Sequence, residues 1–164
     1  MKGERMLGAM VCRIVSGCGR GHGVGRVMIC RLCYFSDFGS YELRGESVTS
    51  SPYILGTGGP EPVGIDRVLS DMVRRKVLRV TYSHGAPSYS LHQGTHIPTL
   101  CPEDTALVDG ILSKYSGINE RLLSWLSRED APCVGRHVSD RLDYASVSLR
   151  DCRTSARVLQ KGEA

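Results

Sequence analysis

The stretch "RVMICRLCYFSDFGSYEL", residues 26–43, constrains this chain more than any other. It holds no proline, and as far as Phe35 it is apolar around almost its whole circumference, the pattern of a helix with packing partners on every side. A helix of that kind belongs at the centre of a fold, so the remaining elements have to be wrapped around it. The predicted class is therefore α+β, mostly α: a compact helical domain with a short β-hairpin.

The flanking segments supply the wrapping. Leu7 to Cys18 places Met10, Val11, Ile14 and Val15 at helical spacing, and the glycine run "GCGRGHGVG" then stops it. "RGESVTSSPYILGTGGPEP" is turn-rich and predicts a connection with at most a short extended piece at Tyr53 to Leu55. From about Val63, "VGIDRVLSDMVRRK" puts Val63, Ile65, Val68, Leu69, Met72 and Val73 along one face and ends in cations that suit the helix dipole. "VLRVTY" and "SYSLHQ", separated by "SHGAP", then predict a hairpin. A helix leading into a hairpin is a winged-helix-like element.

"LCPEDTALVDGILSKYSG" is the best-punctuated helix: Pro102 suits the first helical position, Glu103 and Asp104 the first turn, and Gly117 the stop. "INERLLSWLSRED" predicts a helix with Leu122, Leu123, Trp125 and Leu126 inward, broken by Pro132. After it, "YASVSL" reads as a last strand and "RTSARVLQKGEA" as a frayed tail. With 164 residues and 41% apolar content, the chain suits one domain, residues 1–150, and a flexible C-terminal tail, residues 151–164.

Charge identifies no partner: 21 Lys and Arg against 17 Asp and Glu leave a mildly basic chain. No run approaches the roughly 18 to 20 apolar residues needed to cross a bilayer, and Arg13 interrupts the short apolar run near the start, so no signal peptide or membrane partner is expected and the location is read as cytoplasmic.

Seven cysteines at irregular positions do not suggest a stapled scaffold. Cys30 and Cys33 form C-x-x-C, but a zinc site needs about four ligands, and Cys12, Cys18 and His22 follow no standard spacing around this one pair. A redox pair sits at an exposed helix N-terminus, whereas this pair lies among Ile29, Leu32 and Phe35, so it reads as core. The glycine run lacks both G-x-G-x-x-G and G-K-[ST] and is read as a loop, not a phosphate cradle. His84, His92 and His96 cluster around the hairpin, where exposed polar residues are ordinary. No catalytic constellation stands out, and no metal or other cofactor is expected. Arg74, Arg75, Lys76 and Arg79 form a basic patch that would touch phosphates in a winged-helix DNA reader and is otherwise a solvated helix end.

Several segments in order resemble the Panacea domain, the SocA-like antitoxin family of prokaryotes and their phages and mobile elements. "RLCYFSDF", residues 31–38, is similar to that family's K-L-L-Y-F-x-D-F helix, with Cys33 at a core leucine position. "GESVTSSPYI" and "GGPEPVGIDRVLSDMVRRKVLRV" follow the family's layout of a G-x-x-[LIV]-T-G-x-x-Y segment and a G-P-x-P turn before a helix and hairpin entrance. "LCPEDTALVDGILSKY" and "LSREDAPCVGR" resemble its L-x-x-E-E-x-x-[LI]-[LIV]-D helix and S-H-E-D-x-P-W motif. Arg128 stands where that motif has histidine and Cys133 where it has tryptophan; if those positions shape a partner surface, the resemblance implies a different specificity or a decayed function.

The resemblance implies a non-enzymatic antitoxin that neutralises a cognate toxin by direct contact, some relatives also delivering it to a protease as adaptors, with a protease or chaperone as a further partner. Tyr34, Asp37 and Tyr41 are the expected partner-binding residues, followed by Arg74, Arg75 and Trp125. The rival reading is a winged-helix-like DNA-binding regulator using Arg74, Arg75, Lys76 and Arg79.

Overall fold

A computed structural model describes residues 2–18, 21–94 and 96–160. Helix α1 (Lys2–Cys18) leads to a two-residue strand β1 (Val24–Gly25) and then to the central helix α2 (Arg26–Arg44). A hairpin of β2 (Tyr53–Gly56) and β3 (Gly59–Pro62) precedes α3 (Ile65–Arg74), which runs into a second hairpin, β4 (Leu78–Ser83) and β5 (Ala86–Leu91). Helices α4 (Pro102–Tyr115) and α5 (Glu120–Arg128), a 3-10 helix (Tyr144–Leu149) and the short α6 (Arg157–Gln160) complete the chain.

The all-round apolar helix sits where its composition requires. Every residue of α2 from Ile29 to Ser40 is buried, and the helix packs against α1, α4, α5, β3 and the 3-10 helix. Its end is set by Gly45, whose left-handed backbone (φ 76°) lets its N–H reach the Tyr41 carbonyl. Cys30 and Cys33 lie fully inside this core. Burial pushes the Cys30 thiol up to about 12 and raises Cys33 as well, the reverse of what a redox thiolate needs.

The second hairpin forms a three-stranded antiparallel sheet, in order β1-β5-β4. Its turn is tighter than "SHGAP" predicted: only His84 and Gly85 lie outside the strands, both with positive φ (50° and 79°), the pairing of a two-residue hairpin loop. Strand β1 was not expected within the glycine run. Gly23 permits it, because a Cβ there would stand 3.0 Å from the Tyr89 carbonyl oxygen.

Four further expectations are corrected. The connection over residues 53–62 is a true hairpin, steadied on its other side by Ser139 N–H donating to Leu55 O (2.8 Å) and Leu142 N–H to Tyr53 O (3.0 Å). "YASVSL" is a 3-10 helix, because Tyr144 stacks on Phe38 (4.2 Å between centroids) and donates to Ser51 O (2.6 Å), while the Asp143 carboxylate accepts from Ala145 N–H.

The inward face of α5 is Leu123, Ser124 and Ser127; Leu122 and Trp125 are 49% and 44% exposed. That face lies over polar groups, the Arg31 guanidinium and the β3 backbone, so hydroxyls fit where alkyl chains were expected. The expected tail returns to the body: Thr154, Ser155 and Ala156 are buried, and residues 161–164 lie outside the described residues.

Among the described residues no helix is long and apolar enough to cross a membrane.

Candidate partner-binding site

The expected binding residues divide into a buried set and an exposed set. Tyr34 and Asp37, one turn apart on α2, are completely enclosed. The Tyr34 hydroxyl donates to Asp130 Oδ2 (2.6 Å), just beyond the end of α5. The Asp37 carboxylate accepts from Thr49 N–H (2.8 Å), Thr49 Oγ1 (2.5 Å) and the Tyr53 hydroxyl (2.7 Å). Burial pushes its pKa up to about 6, against the pull of those donors. A partner docking on the folded surface touches neither residue. Tyr41 is half-buried, its ring 5.3 Å from that of Tyr144.

The exposed set falls into two places. Arg74 and Arg75 close α3 and both reach back to the Asp71 carboxylate, Arg75 Nε at 2.7 Å. Lys76 follows with a left-handed backbone (φ 58°), and Arg79 is exposed on β4. Helix α3 packs on α1 and β4, whereas α5 packs on α2 and β3, so the structure does not join these arginines to Trp125 as one patch. The hairpin histidines also stay apart: His84 is at the turn and His92 follows the far end of β5. Among the described residues no three His, Cys, Asp or Glu side chains gather as a metal site.

What sequence reasoning missed is a buried ionic cluster. Arg150, with a side chain only 1% exposed, grips Asp130 through Nη2 (2.7 Å) and Nε (3.0 Å) and reaches Glu42 through Nη1 (3.2 Å). Glu42 in turn accepts from Ser155 Oγ (2.5 Å) and Ala156 N–H (2.8 Å), which holds the chain at residues 155 and 156 against the body. Burial opposes the Arg150 charge, but Tyr34, Asp130 and Glu42 together outweigh it and its pKa rises. Glu42 and Asp130 are 108 and 20 residues from Arg150, so no local spacing could have disclosed the cluster.

The two departures from the family pattern have defined places. Arg128 is exposed and donates from Nη1 to the Gly58 carbonyl (2.8 Å). Cys133 is buried with Sγ 3.9 Å from the Tyr34 hydroxyl.

The fold and these clusters define a compact, mostly helical α+β protein in which the enclosed Tyr34, Asp37, Asp130 and Arg150 side chains hold distant segments together. No protein-family model, curated protein or solved structure matches the chain.

Proposed function

We propose that this chain is a non-enzymatic antitoxin-type protein of the Panacea kind, binding a cognate toxin by direct protein contact and able to present it to a protease or chaperone. One observation carries this reading: three of the segments on which the resemblance rests, "RLCYFSDF", "GESVTSSPYI" and "LSREDAPCVGR", meet in the interior. Tyr34 and Asp37 come from the first, Thr49 and Tyr53 from the second, Asp130 and Cys133 from the third: the second bonds to Asp37 and the third to Tyr34. Segments so placed behave as the shared interior of a fold, which is what a common pattern of order and spacing reflects.

The partner surface then lies elsewhere. Trp125 with Leu122, one helical turn apart and half-exposed on α5, is its best anchor, since tryptophan is enriched among residues that carry binding energy. The test is affinity capture from native cells, with and without nuclease. Stoichiometric recovery of one small protein that survives nuclease and is lost with Trp125→Ala supports the reading; recovery of nothing but nuclease-sensitive material rejects it.

A second reading has its own support. The α3-to-hairpin element leaves Arg74, Arg75 and Arg79 exposed where the helix meets the base of the hairpin. A winged-helix-like DNA binder predicts duplex affinity that falls steeply with salt. Affinity unchanged by Arg79→Ala would count against it.

A further inference from the structure

Arg31 differs from the other deeply buried arginine. Arg150 has two carboxylates; Arg31, only 2% exposed, forms no ion pair among the described residues. Its Nε donates to Ser124 Oγ (3.3 Å) and its Nη1 to the Pro60 carbonyl (2.5 Å). Glu61, an acid that acts on it through space, instead bonds Arg26 at 3.1 Å. Nη2 has no hydrogen bond among the described residues. Yet Ser36 Oγ is the one enclosed side-chain polar atom without a partner there, so Nη2 keeps contact with solvent.

The opening is made by glycine. A Cβ at Gly58 would stand 3.0 Å from Nη2, and one at Gly59 would stand 2.9 Å from Nε. Any larger residue at either position would press on the guanidinium. Arg128 brings a second guanidinium to the same rim through its bond to the Gly58 carbonyl. A buried cation with no carboxylate bonded to it is costly, and an anion that reached it would gain a charge-assisted hydrogen bond in a setting of low dielectric.

We propose that this glycine-framed opening binds an oxyanion, a carboxylate or a phosphate group, which accepts from Arg31 Nη2 with Arg128 as the second cation. The site is independent of the antitoxin reading: it can receive a free small anion or the acidic group of a larger partner.

The experiment follows the arginine Nε–H signals of the full ¹⁵N-labelled chain, with Arg31 assigned by through-bond connectivity. Sodium acetate and sodium phosphate are titrated separately, with sodium chloride at equal ionic strength as reference. The expected result is a saturable shift at Arg31 with acetate, phosphate or both, which identifies the preferred chemistry. Gly58→Ala should weaken it at least about tenfold, as loss of a hydrogen bond to a charged group implies. Gly58 has no left-handed φ, so its backbone tolerates alanine. The exposed Arg128→Ala serves as a second variant and should also weaken the response. A shift no different from that in chloride, or one untouched by both variants, overturns the proposal and leaves Arg31 a structural residue.

Discussion

Tyr34 and Asp130 stand 96 residues apart in the chain and share a 2.6 Å hydrogen bond in the interior. Asp130 also carries the Arg150 guanidinium, so one carboxylate joins the central helix, the segment after α5 and the start of the C-terminal segment.

Removing that carboxylate should therefore be far worse than removing one of its donors. Asp130→Ala is expected to destabilise by about 3–5 kcal/mol, because it strands the buried Arg150 charge with Glu42 alone. Tyr34→Phe should cost about 1–3 kcal/mol, since Asp130 keeps Arg150. Urea denaturation of both variants tests the order, and equal losses would contradict the hub role.

Asp37 gives a pH dependence of defined sign. Its folded pKa, about 6, lies above the ordinary 3.8, so the folded state holds the proton more tightly. The stability this contributes is complete below pH of about 4 and is lost as pH rises through about 6, an effect on the order of 3 kcal/mol. Subtracting the stability profile of Asp37→Asn from that of the native chain isolates it from other carboxylates. A difference that grows with rising pH would contradict the assignment.

Trp125 and Leu123, two residues apart on α5, should respond oppositely. Leu123→Ala empties a fully enclosed site and should cost about 2–5 kcal/mol. Trp125→Ala, half in solvent, should cost under about 1 kcal/mol while abolishing partner capture. Thermal melts paired with pull-downs separate the two, and a large melting shift in Trp125→Ala would return that residue to the core.

The hairpin turn offers a local test. Gly85 has φ 79°, where an L side chain is strained, so Gly85→Ala should cost about 1–2 kcal/mol. Hydrogen exchange should speed up in β4 and β5 first. Uniform acceleration across α2 would show that the hairpin is not a separable unit.

What the sequence determined by itself is what neighbouring residues enforce. The apolar circumference of residues 26–35 made α2 central, and Pro102, Glu103 and Asp104 marked the start of α4 to the residue, because backbone geometry and capping act within one turn. The C-x-x-C pair was legible as core for the same reason, its neighbours being Ile29 and Leu32.

Tertiary structure decided the rest. "YASVSL" became a 3-10 helix because Phe38 and Ser51 were waiting for Tyr144. Helix α5 turned its serines inward because Arg31 lay beneath. Tyr34 and Asp37, expected at a partner surface, were enclosed by residues brought from positions 49, 53 and 130. Ser155 and Ala156, within the expected loose tail, were held by Glu42. Each of these outcomes depends on a charge or ring arriving from a distant part of the chain, and a buried polar group takes whatever conformation satisfies its partner.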